Sequence, residues 1–494
     1  MNEARVLRTA VAVLPAALIA LNLLVIPGYT GDDAFIHFTF ARNLATHGVF
    51  GYNTPYPSYG STSILWVIVC AGFSLLTGNV VLTGRVLSAL LTVGSAALFA
   101  GYLSTKLRLP LRGVLAGLAI YLVNAVMFRW MMTGMETGLT LFVAVLILRS
   151  WSTAHSLRNA LLSLTAFLDR PEFILIPLAC AIALSFRRGG KSYQDPGARQ
   201  TPGTGWNAAA YFAVTAILFA CWFMAASLYF HAFLPMTSFK TGSLFDAESL
   251  YRFTAVVGGT YPDLLLLAGF LVITGHFSRQ VFRGIPPGEA LFFVFSVLLL
   301  GMYALKGTNM ISRYLLIIHP AAALLMVRLL ASAGARRWLP RAAIGIGVVQ
   351  AALFLTLHLE PIRAFVSGFQ SVYASMGREL GAAPDTGSVM VADVGIVGYY
   401  SGRPIIDTGG LVSIHTREAG TAADTALIAR YRPRFVIARR ATPGIDSCAA
   451  SWKASAPALA AVAPLRHERI GRLGTMGREG DAYDVYLLRL SWGE

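Results

Sequence analysis

Apolar runs about twenty residues long recur through the first 360 residues, at 9–28, 80–103, 112–131, 134–149, 207–228, 257–276, 288–305, 314–332 and 341–359. About twenty predominantly apolar residues are what a helix needs to cross a bilayer. Only helices and closed barrels satisfy their backbone hydrogen bonds there. A further stretch, 159–186, is interrupted by "DRPE". Proline disfavours helix in the residue before it, so this stretch reads as two short spans meeting at Arg170. That makes about eleven spans. Composition agrees: 56% of the 494 residues are hydrophobic and 13% charged, against about 25% charged in an ordinary soluble domain. The chain reads as a polytopic α-helical membrane protein.

The net charge of +16 does not point to nucleic acid, because the basic residues are scattered over short loops between apolar runs. Alternate loops hold Lys106, Arg108 and Arg112, then Arg149 and Arg158, then Arg187, Arg188, Lys191 and Arg199. Arg279 and Arg283 follow, then Arg336, Arg337 and Arg341. This is the positive-inside pattern. It predicts a cytoplasmic N-terminus and a tail on the opposite face. The segment 64–77, "ILWVIVCAGFSLLT", is short for a span and would invert every later loop. It is expected to be a re-entrant or interfacial helix. Arg5 and Arg8 precede an apolar core as in a signal peptide, but no A-x-A-like cleavage site precedes Asp32, so this core is read as an uncleaved first span. Cys70, Cys180 and Cys221 lie in apolar runs and Cys448 has no soluble partner, which predicts neither a disulfide framework nor a zinc site.

The chain divides into a transmembrane unit, 1–360, with a first outer loop at 29–63, and a tail, 361–494. In the tail, "SVMVADVG", "PIID", "PRFVIAR" and "YDVYLLRL" read as strands around a helical stretch near 421–431, a small α/β domain. The glycines of "DVGIVGYYSG" do not fit a nucleotide-binding fingerprint.

Ionisable residues gather on the side opposite the basic loops. "TGDDAFIHFTFARNL" sets Asp32 and Asp33 directly after the first span, ahead of an amphipathic helix burying Ile36, Phe40 and Leu44. One aspartate would suffice as an N-cap, and the second would gain a little from the helix dipole. Glu136 starts an apolar span, Asp169, Arg170 and Glu172 sit at the broken hairpin, and His231 and Lys240 flank "FLPMTSFKTG". "GTNMISRYLLIIHP" adds Arg313, Tyr314 and His319. Charges near or within a bilayer are costly, and they pair with one another or line a working cavity.

The aspartate pair, the helix after it and "STSILWVIVCAGFSLLTGNVVLTGRVLSALL" resemble the GT-C superfamily of membrane glycosyltransferases. Within it, "DDAFIHFTFARNLATHGVFGYN", "TGMETGL", "DRPE", "FLPMTSFK", "RYLLIIHP" and "VADVGIVGYYSGRPIIDTGGL" resemble the bacterial branch that includes the mycobacterial terminal arabinofuranosyltransferases. The resemblance implies a monosaccharide donor, arabinofuranose in that branch, carried on polyprenyl phosphate. Transfer would occur at the outer face of the bacterial cytoplasmic membrane, to a cell-envelope glycan, lipid or protein. A glycosidase must protonate its leaving group, but polyprenyl phosphate leaves without that help, so an inverting transferase can work with one carboxylate base. Asp32 or Asp33 is expected to be that base, with Asp32 preferred. The other would orient the acceptor or hold a divalent cation such as Mg2+, Mn2+ or Ca2+. Lys240, Arg313 and Arg170, with Arg129 behind them, are the candidate phosphate-binding cations. Arg170 could equally be neutralised by Asp169 or Glu172. Glu136, Glu172, His231 and His37 would support them. Asp393, Tyr399, Tyr400, Arg403 and Asp407 could contact an acceptor, although core packing and turns explain them almost as well. A transporter or flippase for a lipid-linked sugar is the alternative, but the internal repeats common in transporters are not seen.

Overall fold

The computed structural model describes residues 3–152, 155–187, 208–236, 247–273, 285–306, 311–332, 338–412, 424–440, 444–471, 473–475, 478–480 and 482–493. Among the described residues six helices are long and apolar enough to cross a membrane: Glu3–Val25, Val80–Thr105, Ala208–Phe230, Pro287–Lys306, Ser312–Ala331 and Leu339–Ala382. The pair Ala247–Thr260 and Pro262–Ile273, bent by 84°, makes a seventh if counted as one span. The protein is a multi-pass membrane protein, but the eleven expected spans are not reproduced as eleven long helices.

The difference has local causes. The run 112–131 breaks at Asn124, whose side chain accepts from the N–H groups of Val126 and Met127 and starts a new helix, Ala125–Trp130. The run 134–149 becomes the fourteen-residue helix Thr137–Ser150, buried on almost every face. A helix apolar all round belongs inside a bundle, and one shielded by protein need not match the bilayer's thickness. It lies close along Val80–Thr105, where a Cβ on Gly138 would come within 2.3 Å of the Ser88 carbonyl oxygen. The hairpin at "DRPE" forms as expected, from Ser156–Asp169 and a helical stretch beginning at Pro171. Ile64–Thr77 is a helix of fourteen residues.

The run Leu339–Ala382 passes through two π-helical turns, Phe354–His358 and Phe365–Gln370, and carries the chain without a break into the tail. There, strands β1 (Val389–Val391), β2 (Ile405–Asp407), β3 (Phe435–Arg440), β4 (Leu459–Ile470) and β7 (Tyr483–Trp492) form one sheet in the order β2-β1-β3-β7-β4. A separate hairpin pairs β5 (Leu473–Thr475) with β6 (Arg478–Gly480). β1 runs parallel to β2 and β3, while β7 is antiparallel to β3 and β4. The expected α/β tail is therefore present. Its edge strand β4 was not foreseen, because "LAAVAPLRHERI" carries a proline and four ionisable residues. An edge strand tolerates both.

The tail docks on the helix Asp32–His47 through its own helix Val394–Ser401. "VGIVG" supplies the closeness: a Cβ on Gly395 would lie 2.0 Å from the Asp32 carbonyl oxygen, and one on Gly398 would lie 2.1 Å from the Tyr52 hydroxyl. Tyr52 donates its hydroxyl proton to the Val394 carbonyl at 2.6 Å. Asn53 exchanges two hydrogen bonds with the backbone of Ile405, at 2.8 and 2.9 Å.

Candidate active site

The two adjacent aspartates have separate tasks. Asp32 turns to the tail, where its carboxylate accepts from the N–H groups of Gly395 at 3.1 Å and Ile396 at 2.8 Å. These are first-turn donors of the helix Val394–Ser401, which its own preceding residue, Asp393, leaves uncapped. Asp32 therefore caps a helix, but not the one it begins. Removal from water pushes its carboxyl up to about 7, against the two backbone bonds that favour its charge.

An acid whose pKa is raised by folding stabilises the fold most below its ordinary value, here 3.8, and that contribution is lost as the pH climbs through about 7. The melting temperature in detergent is expected to fall over this window by more in wild type than in Asp32→Asn. Parallel profiles would show that Asp32 does not couple docking to pH.

Asp33 faces the other way, its side chain 41% exposed and 2.5 Å from the guanidinium of Arg313. Arg313 lies over the rings of Trp130 and Tyr314, each 5.3 Å away. Arg129 lies over the same indole at 5.2 Å, donates to the Tyr29 hydroxyl at 3.1 Å, and approaches His358 Nδ1 at 3.5 Å. Among the described residues no carboxylate pairs with Arg129, so its charge is available to a ligand.

Beneath this mouth runs a buried row of charges. Glu136, 1% exposed, accepts from Arg170 at 2.6 Å and lies 3.4 Å from His37 Nε2. Arg170 is also held by Glu172 at 2.6 Å and lies 5.0 Å from the Tyr314 ring centroid. Tyr303 donates its hydroxyl proton to Glu172 at 2.9 Å. His37 is anchored on its other nitrogen by Ser61 at 2.9 Å. With a carboxylate on each side, Arg170 is neutralised by Glu136 and Glu172, not by Asp169, which instead accepts from Thr140 and Ser63. Arg170 holds the floor of the site and is not a free phosphate ligand.

Other expected members fall elsewhere. Lys240 lies outside the described residues. His231 is exposed with φ 53°, and no described contact ties it to Asp33 or Arg313. His319 is buried between Tyr121 and Tyr261, bonded to the Tyr121 carbonyl. Asp407 accepts from the backbone N–H groups of Gly409, Leu411 and Val412 and so closes a turn. Arg403 donates to the carbonyls of Leu380 and Ala383. Asp393 accepts from Arg439 and Tyr373, and Tyr399 and Tyr400 pack on Phe35. These five tail residues hold the tail together or dock it, and the structure gives each such a contact.

A divalent cation would need several oxygen ligands. Both Asp32 oxygens receive backbone N–H groups, Asp33 is paired with Arg313, and among the described residues no three His, Cys, Asp or Glu side chains converge. The pair does not fit the role of a cation cage. The platform residues Trp130 and Tyr303 escaped the sequence reading, since an aromatic in an apolar run looks like core. The "RW" dipeptide at 129–130 was the available signal.

The described geometry can be set beside known proteins. The crystal structure of ArnT from Cupriavidus metallidurans bound to undecaprenyl phosphate superposes with a TM-score of 0.59 and 13% identity, covering 95% of this chain and 97% of that one. The apo form of the same protein gives 0.59 and 12% identity over the same shares. The chain has the GT-C fold. The fold that the motifs imply is thereby met; the likeness found is to ArnT and does not extend to the arabinofuranosyltransferase branch. Residues 364–486, within the tail, match a family described as a domain of unknown function, DUF8728. No curated protein matches.

Proposed function

We propose that the protein is an inverting glycosyltransferase that moves a monosaccharide from a polyprenyl-phosphate donor to a cell-envelope acceptor at the outer face of the cytoplasmic membrane. The observation that carries this reading is one exposed carboxylate, Asp33, beside Arg313, which shares a single indole with Arg129, a cation with no carboxylate partner among the described residues. The undecaprenyl phosphate bound by ArnT supports the same class of carrier here.

In this mechanism Asp33 takes the proton of the acceptor hydroxyl as its oxygen attacks the anomeric carbon. The bond from that carbon to the phosphate oxygen breaks, and the electron pair leaves with polyprenyl phosphate. Arg129 and Arg313 meet the charge gathering on the phosphate, at a site whose cations are positioned in advance by Trp130. The buried row below keeps Tyr314, and with it Arg313, in place.

The test uses the full chain in micelles with a panel of synthetic polyprenyl-phosphate monosaccharides, including the arabinofuranose donor that the motifs imply. Consumption of one donor with release of polyprenyl phosphate is the expected result. If no donor is consumed while labelled lipid crosses a liposome bilayer containing the protein, the transporter alternative replaces this reading.

A further inference from the structure

At the far end of the docking helix lies a cavity of about 70 Å3 between the two units of the chain. That is more than the roughly 30 Å3 one water occupies in the liquid. Its walls include Arg42, Tyr52, Asn53 and Thr54 from the first loop region, and Gly402 and Arg403 from the tail. Two guanidinium groups thus share one small polar space, and no carboxylate lines it.

Among the described residues most of the donors there are unspent. An arginine carries five N–H donors. Arg42 gives one to the Tyr399 carbonyl at 2.8 Å and lies over the Tyr399 ring at 4.8 Å. Arg403 gives two, to Leu380 at 2.7 Å and Ala383 at 2.9 Å, and lies 5.1 Å from the Phe435 centroid. Asp407, the nearby acid, is committed to its own turn. Aromatic rings and carbonyls therefore hold two like charges on the walls of one cavity, with several hydrogens each to offer. Planar forks of this kind suit carboxylate and phosphate oxygens.

We propose that this cavity is an anion subsite that receives a phosphate or carboxylate group of the acceptor. That it is the acceptor's group rests on the glycosyltransferase reading; that it binds an anion does not. Arg42 and Asp33 lie nine positions apart on the helix Asp32–His47, which at 1.5 Å per residue separates them by about 14 Å along the axis. The acceptor is then an anionic oligosaccharide whose charged group sits well away from the hydroxyl that receives the sugar.

The experiment is equilibrium binding of inorganic phosphate and, separately, of glucuronate to the full chain in nanodiscs of neutral lipid, without donor. Saturable binding is expected, weakened at least tenfold by Arg42→Gln and by Thr54→Glu, which sets a carboxylate at the exposed rim without touching either arginine's backbone bonds. Arg313→Gln should leave this binding in place. Preference for phosphate or for glucuronate tells which group the acceptor carries. Absence of saturable binding in wild type overturns the proposal. So does binding that survives both rim and Arg42 variants, or that Arg313→Gln alone removes, which assigns it to the donor site. A protein that binds these anions but consumes no donor would keep the subsite and lose the transferase reading.

Discussion

Asp33→Asn is expected to lower turnover by roughly 10²–10⁴-fold, the range that a positioned general base supplies, while the protein stays folded. The asparagine keeps the size of the side chain and can still accept from Arg313, but it cannot take a proton. Asp33 is the exposed member of the pair and Arg313 the buried one, 41% against 9%, so the hydrogen bond that the asparagine oxygen keeps is what holds Arg313 in place. Asp32→Asn should behave differently. It disturbs the two bonds to Gly395 and Ile396, so its loss of activity should track loosened docking, seen as faster proteolysis of the tail. Donor consumption by single turnover separates the two. If Asp32→Asn stops chemistry with the tail still protected, and Asp33→Asn does not, the assignment of the base is reversed.

Glu136→Ala should have the largest effect on stability, about 3–5 kcal/mol, the usual cost of removing one partner from a buried ion pair. Glu136 and Arg170 have side chains only 2% and 7% exposed, 2.6 Å apart. Removing the carboxylate leaves Arg170 with Glu172 alone and His37 with Ser61 alone. Turnover should fall too, because Arg170 supports Tyr314, on which Arg313 rests. Glu136→Gln keeps an acceptor in place and should cost less. Unfolding in mixed micelles measures both variants; an alanine variant as stable as wild type would show that Arg170 relaxes onto Glu172 without loss.

The contrast between these residues shows what the sequence could tell. Glu136, Arg170 and Arg313 stand out because charges are rare in apolar runs, and each is held in an ion pair. The division of labour between Asp32 and Asp33 was hidden, since the partners of Asp32 lie at 395 and 396. Arg170 was marked as a cation that Asp169 or Glu172 could neutralise; Glu172 does so from two residues away, while the second carboxylate, Glu136, converges only after the hairpin folds. The count of eleven spans was not confirmed for a related reason. Length is a test of crossing lipid, and Thr137–Ser150 is shielded by neighbouring helices instead. In the tail, short β-branched runs announced β1, β2, β3 and β7, while β4 concealed itself behind Pro464 and its charges.

The cap that Asp32 provides also sets a timetable. Its bond to Gly395 joins residues 363 positions apart, and long-range contacts of this kind close late. At about 5–20 residues per second of synthesis, the first loop waits roughly 20–70 s in the membrane for the helix that completes its surroundings. Throughout that time the spans can insert, yet the mouth beside Asp33 has no tail wall and the arginine cavity does not exist. Assembly of the working site therefore waits for the tail, and a polypeptide cut short before residue 394 would hold its membrane helices without it.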